Sequence, residues 1–328
     1  MSLLALSSLR LGAQQNTAMP FSVIPRDIRS LAMGGANALE NVSALTFGEN
    51  FFDGQLSYLR WAPSSPVSAH SANAVIYGKI ADKVGVKGSF SMDFGPGYTP
   101  FSESGVPGET YLPRDIMVNF GASYKFFPFL SLGASMRYLS SIPSPENETS
   151  AIAADIFLSG QAGPVCITAG VTSLGSTVKS YHLEDFKLPM AAVVAARWSQ
   201  TFGKIHRVEA VLQGDWFISS GPRIAGGAAY TFNDIATVRA GYNYGGNTPL
   251  PSFFSAGAGV NLWGVNINAA VLFGSSAPIN GTFQVSLGYT IKPGKATSAK
   301  ADKSDKKEDK KAPAPAPAAE DGGSEEDF

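Results

Sequence analysis

Charge is scarce in this chain. Asp, Glu, Lys and Arg make up 16% of its 328 residues, against roughly 25% in a typical soluble domain. The deficit is sharper before Lys292, where only 34 residues are charged, because the remaining 17 charges fall in the last 37 residues. A soluble surface built from so few charges would be poorly solvated, so something other than water faces much of this chain. Cysteine is almost absent as well. Cys166 stands alone, which excludes an intrachain disulfide, a cysteine zinc site and an N-terminal lipid anchor. Also missing is any apolar run of the roughly 18 residues needed for a membrane helix. Even the uncharged stretch 240–291 is broken throughout by Asn, Gly, Pro and Ser. Helices and closed barrels are the two architectures that satisfy backbone hydrogen bonds inside a bilayer, and only the barrel remains.

What is present agrees with a barrel. Apolar and polar residues alternate with period two in segment after segment. Phe283, Val285, Leu287, Tyr289 and Ile291 alternate with Thr282, Gln284, Ser286, Gly288 and Thr290. One face suits lipid and the other an aqueous lumen. The runs predict fourteen strands, over about 53–62, 69–79, 83–93, 113–126, 129–141, 149–162, 164–173, 188–200, 205–218, 222–232, 236–245, 252–262, 264–274 and 279–291. An even count suits a single-chain transmembrane barrel. Connections after odd-numbered strands are mostly long and those after even-numbered ones short, which places the long loops outside and the short turns in the periplasm. Both termini are then expected on the periplasmic side of an outer membrane. Aromatics near the strand ends predict two interfacial girdles, with Tyr124, Phe126, Phe127, Phe202, Phe232 and Trp263 inside and Trp61, Tyr138, Trp216, Tyr244 and Phe253 outside.

The flanks divide the remainder. Residues 1–13 read as the remnant of a signal peptide, since the apolar Leu3–Leu11 is followed by Gly12-Ala13-Gln14. Residues 14–52 precede the barrel (53–291) and are too interrupted by glycine for one long helix, so they are expected to sit periplasmically or as a plug. Residues 292–328 form a charged, then Pro-Ala-rich tail, expected to be a disordered periplasmic spacer.

The segment Arg29-Ser30-Leu31-Ala32-Met33-Gly34-Gly35-Ala36 resembles the entry motif of the PorV/PorQ family of outer-membrane proteins, distant relatives of the FadL fatty-acid channel. Residues 170–176 with Lys187-Leu188-Pro189-Met190, and Val238 to Tyr244, resemble two further family stretches. The chain departs from the family in carrying Phe47-Gly48-Glu49-Asn50 where many relatives have an Asn-Pro-Ala element. The resemblance implies a fourteen-stranded barrel, typically from Bacteroidota. It also implies an N-terminal hatch built on Arg29, Met33, Gly34 and Gly35, and a place in a type IX-like secretion system with other envelope proteins.

No catalytic constellation stands out. His70, His182 and His206 fall in separate regions, and no Gly-x-Ser-x-Gly elbow occurs. His182 and Asp185 alone make a weak metal pair. The near-neutral charge balance leaves no electrostatic footprint for nucleic acid. No enzyme activity, cofactor or metal is expected. The informative residues are the charges that alternation sends inward: Lys87, Asp93, Lys125, Arg137, Asp155, Arg197, Glu209, Asp215 and Arg239. A basic one among them would cost about 2–4 kcal/mol on the lipid face near the midplane. Five bases against four acids suggest bracing ion pairs inside a filled barrel rather than a sign-selective pore. Two functions follow: a subunit or escort of a secretion or assembly machine, or a FadL-like transporter of hydrophobic molecules. For the second, Phe94, Tyr98, Phe101, Val106, Tyr111 and Leu112 around the longest loop would line a pocket for a ligand, or else meet a partner.

Overall fold

The computed structural model of the chain describes residues 17–65, 68–101, 105–178, 186–274 and 277–292. The predicted signal remnant, His182, Asp185 and the charged tail lie outside these residues. Fourteen antiparallel strands close into a barrel, each hydrogen-bonded to the next, with the last pairing the first. In order they are β1 (Phe52–Trp61), β2 (Ala69–Ile80), β3 (Val84–Phe94), β4 (Arg114–Phe127), β5 (Leu130–Ser144), β6 (Asn147–Ala162), β7 (Val165–Gly175), β8 (Ala191–Phe202), β9 (His206–Phe217), β10 (Gly221–Phe232), β11 (Ala236–Tyr244), β12 (Phe253–Leu262), β13 (Val265–Gly274) and β14 (Phe283–Ile291). The seam runs from Phe52 opposite Ile291 to Arg60 opposite Phe283.

Alternation decides which way each side chain points. Leu56, Ile76, Phe90, Phe120, Met136, Ile167, Leu212, Phe254 and Leu287 are exposed on the outside, and every strand contributes at least one such apolar residue. A soluble monomer does not expose so large an apolar surface. A bilayer covers it, and the chain is a transmembrane β-barrel. The inner positions carry small polar residues such as Ser71, Asn73, Ser91, Ser123, Thr168 and Ser286, all buried.

The connections segregate as alternation predicts. The connections that follow β1, β3, β7, β11 and β13 leave from one end, and turns such as 128–129, 163–164 and 263–264 lie at the other. Trp263 and Gly264 both take positive φ in a two-residue hairpin turn, 53° and 89°, the geometry that matches strand twist. Trp263 is 93% exposed there, alongside the exposed Tyr124, Phe126, Phe127, Phe202 and Phe232. At the other end Tyr138, Trp216 and Tyr244 face outward, but Trp61 and Phe253 do not. Both fall on the inward side of the pleat, where Phe253 joins a core cluster with Ile28 and Leu31 and Trp61 packs against it.

Three boundaries differ from the sequence reading. β5 and β6 run on to a tight hairpin in which Ser144 faces Asn147, replacing a predicted loop at 142–148. β8 begins at Ala191, three residues late, because Leu188-Pro189-Met190 packs as an irregular approach whose Met190 carbonyl accepts from Ile218. β14 begins at Phe283, after a short 3-10 turn at Ala277–Ile279.

The lumen is occupied by residues 17–51, which hold a 3-10 turn (Pro20–Val23), helix α1 (Ile28–Ala32), a second 3-10 turn (Ala38–Glu40) and helix α2 (Val42–Leu45). Asp27 caps α1 by accepting from the N–H groups of Arg29 and Ser30, and Asn41 caps α2 through Ser43 and Ala44. Such caps satisfy donors that a short helix cannot pair internally. Thr17 forms a bridge with Lys187 in the 176–190 connection, while Phe52 starts β1 at the short-turn end. The segment therefore threads the barrel from one end to the other. Residue 17 and residue 292 thus lie at opposite ends of the barrel.

Candidate functional site: the plugged lumen

Near the long connections, three arginine–aspartate pairs pin the segment to the wall or brace the wall beside it. Arg26, in the plug, grips Asp93 with two hydrogen bonds of 2.6 Å and also donates to Ser71 at 3.0 Å. Arg137 donates to Asp155 at 2.7 Å and to Ser173 at 2.8 Å. Asp155 sits opposite a bulge between β6 and β7, where Ser173 takes a φ of 58° and turns its N–H to the Asp155 carboxylate rather than to the ladder. Arg223 donates to Asp215 at 2.6 Å, to Asn243 at 2.7 Å and to the carbonyl of Gly35. All six charged groups are buried. Buried ions persist only when paired and hydrogen-bonded on most of their polar atoms. Gln213 adds a neutral link, accepting from the Ala38 N–H at 2.8 Å while donating to Asp215 at 2.7 Å.

The Met33-Gly34-Gly35 turn docks against bare backbone. Gly34 and Gly35 have φ of 73° and 74°, a region that penalises any side chain. A Cβ on Gly34 would collide with the Tyr242 carbonyl and lie 2.6 Å from that of Gly226. The wall reciprocates with its own glycines. A Cβ on Gly227 of β10 would come within 2.7 Å of Met33 Cα, one on Gly257 of β12 within 2.6 Å of Ala32 Cβ, and one on Gly241 of β11 would strike the Gly34 nitrogen. The Gly34 N–H also donates to Ser255 at 2.8 Å.

Toward the short turns the fit loosens. Arg29 lies 3.3 Å from Asp53, 3.6 Å from Asp27 and 3.7 Å from Glu40, and Lys87 donates to the Glu40 carbonyl. Burial pushes the Glu40 carboxyl above the usual carboxylate range, against the pull of Arg29. Burial acts the same way on Asp27, but Arg29, Lys87 and the two helix N–H groups outweigh it and hold Asp27 below that range. This cluster separates three cavities. One of about 190 Å³ lies on the long-connection side, bounded by Val23, Ile24, Met117, Phe157, Val193 and Phe217 with Arg137 and Arg223. A pinch of about 50 Å³ shares Asp27, Glu40 and Lys87 with it. A vestibule of about 460 Å³ follows at the short-turn end, sharing Arg29, Glu40 and Asp53 with the pinch.

All nine charges assigned inward by alternation sit on the lumen side. Asp93, Arg137, Asp155 and Asp215 join the tight pairs, Lys87 the cluster, and Arg197, Glu209 and Arg239 the vestibule. Lys125 lies over the Phe47 ring at 5.6 Å from its centroid. Arg223 and the plug's Arg26 escaped the sequence reading. Arg223 occupies an inward position on β10, so strict alternation there would have found it. Arg26 has no such signal.

The loop residues meet no cavity. Phe94 ends β3. Tyr98 pairs with Tyr111 across an extended hairpin, whose hydroxyls donate to Pro143 and Ile142 on β5 at 3.1 and 3.2 Å. Phe101, Val106 and Leu112 are well exposed. None of the six lines any of the three lumenal cavities, because the hairpin lies over the β5 rim instead of the barrel mouth. His70 and His206 face outward at opposite ends of the barrel. Among the described residues no three His, Cys, Asp or Glu side chains form a metal site.

No protein-family model and no curated protein matches the sequence. Solved structures do match. The toluene transporter TodX of Pseudomonas putida superposes with a TM-score of 0.54 at 13% identity, over 83% of this chain and 99% of its own. The likeness is one of fold. CymD, a monoaromatic hydrocarbon channel, gives 0.53 at 12% identity over 83% and 98%, and a TodX mutant lacking S2 and S3 gives 0.52 at 14% over 81% and 98%. The barrel fold is thus shared over nearly the whole of those channels at 12–14% sequence identity.

Proposed function

We propose that the chain is a non-enzymatic outer-membrane channel for small hydrophobic molecules, closed in this conformation by residues 17–51, with its long connections outside and its short turns in the periplasm. The carrying observation is the cavity of about 190 Å³ between plug and wall, whose lining mixes apolar side chains such as Met117, Phe157 and Phe217 with charged and polar ones such as Arg137, Asp155 and Arg223. A cavity of about 150 Å³ holds a benzene-sized molecule when its walls are apolar. The fold shared with a toluene transporter and a monoaromatic hydrocarbon channel supports the same reading. Toward the short turns the plug is held by part-exposed ion pairs of Arg29 that water can replace, so that half is the part that yields during passage. The test is initial uptake of labelled toluene by cells expressing the chain. Expression should raise it several-fold over an empty vector, and equal rates would reject the channel.

A second reading is favoured by one observation. Phe101, Val106 and Leu112 project from a hairpin outside the barrel and line no lumenal cavity, which suits contact with another envelope protein in a secretion or assembly complex. Purification in mild detergent should then recover a stoichiometric complex that is lost when residues 96–111 are deleted. Recovery of the intact chain alone would remove this reading.

A further inference from the structure

The outer wall carries almost no formal charge. Across the described strands, the outward side of the pleat holds Arg60 on β1, Arg114 on β4 and Glu148 on β6, and no other Asp, Glu, Lys or Arg. All three sit at the long-connection end. At the short-turn end the outward faces of the strands carry none, and the exposed charges Asp82, Lys83, Lys204 and Asp234 lie in the turns themselves. The two arginines are also in register. Arg60 faces His70 on β2, His70 faces Phe94 on β3, and Phe94 faces Arg114. With strands about 4.8 Å apart, the arginine Cα atoms stand about 14 Å apart along one row.

The row is organised around His70. Arg60 lies 3.2 Å from His70 Nδ1, and the Tyr58 hydroxyl lies 2.5 Å from the same nitrogen. A guanidinium can only donate, so Nδ1 accepts and the ring proton lies on Nε2. The row thus presents two guanidinium groups and an imidazole N–H, all donors. Arginine forks match phosphate oxygens in pairs. Glu148 stands two strands beyond Arg114, and its carboxylate accepts from Ser140 at 3.0 Å. Below the row the wall is apolar, with Leu56, Ile76, Phe90 and Val118 exposed.

We infer that the outer rim of β1–β4 binds the phosphorylated headgroup of lipopolysaccharide, with Arg60, His70 and Arg114 taking its phosphates and the apolar strip beneath taking its acyl chains. The inference rests on the reading that the chain lies in an outer membrane with its long connections outside. A phosphate-bearing lipid with several acyl chains complements both halves of this surface, charge above and hydrocarbon below.

The experiment uses the full chain in detergent, titrated separately with purified lipopolysaccharide, enzymatically dephosphorylated lipopolysaccharide and phosphatidylglycerol, with bound lipid read by native mass spectrometry. Loss of each arginine should weaken lipopolysaccharide binding about ten-fold, so Arg60→Gln with Arg114→Gln should nearly abolish it. Removal of the phosphates should do the same to the wild-type chain. Unchanged binding by the double variant would overturn the site, as would equal binding of the dephosphorylated lipid. Equal binding of phosphatidylglycerol would overturn the choice of lipid. A heat-dependent gel shift checks that each variant retains its barrel. Fractionation of native cells separates the two failures. A chain recovered from the inner membrane removes the outer-membrane reading and the site with it. A chain recovered from the outer membrane whose double variant binds normally removes the site alone.

Discussion

The two halves of the lumen hold the same plug by different means. Near the long connections, charged pairs sit at 2.6–2.7 Å with side chains at most 10% exposed. Near the short turns, Arg29 spreads over three carboxylates at 3.3–3.7 Å and is 33% exposed. The first arrangement leaves little room for water, and the second faces a vestibule. Ion pairs of similar composition can therefore lock one region and leave another adjustable, because hydration decides how much each contact stabilises.

The contrast can be broken most strongly at Arg223. Arg223→Ala leaves Asp215 buried and unpartnered, and should destabilise the barrel by about 3–5 kcal/mol, read as an earlier midpoint in urea unfolding from detergent. Next comes the docking turn. Gly34→Val forces a branched side chain into positive φ against two wall carbonyls, for at least about 1–3 kcal/mol of backbone strain alone. The strands themselves should survive, so the reading is faster cleavage of residues 17–51 by added protease while the barrel band stays intact. The smallest effect belongs to Arg29→Gln, about 1 kcal/mol or less. It should nevertheless raise permeability in single-channel recordings, since the pinch at Asp27 and Glu40 loses its central cation. A stability loss at Arg29 as large as that at Arg223 would erase the distinction between the two halves.

The barrel was legible because its strands obey a rule with period two, and a single slip would expose Ser123 or Asp215 to lipid. That rule fixed fourteen strands to within a few residues. It failed at Trp61 and Phe253, where position near a strand end was weighed above parity. The lumen was half legible. Alternation sent Asp93, Asp155 and Asp215 inward, but two of their partners, Arg26 and Arg223, were missed. The path of the plug left no periodic trace, since α1 and α2 span five and four residues, too few to show a helical repeat. Its Met33-Gly34-Gly35 turn was visible as a motif. The glycines that receive it, Gly227, Gly241 and Gly257, lie on three different strands, and only the closed sheet brings them together.

The bridge between Thr17 and Lys187 gives the N-terminal segment the statistics of a loop instead of a tail. One end continues covalently into β1 and the other is paired through the Ala18 N–H, which donates to the Lys187 carbonyl at 3.0 Å. A chain fixed at both ends gains only slowly in configurational freedom as it lengthens. Loosening its middle thus releases little entropy, and its excursions stay confined between two anchors. Breaking that hydrogen bond shortens the loop without freeing it, because the Arg26–Asp93 pair and the docked Met33-Gly34-Gly35 turn then become its outer anchors.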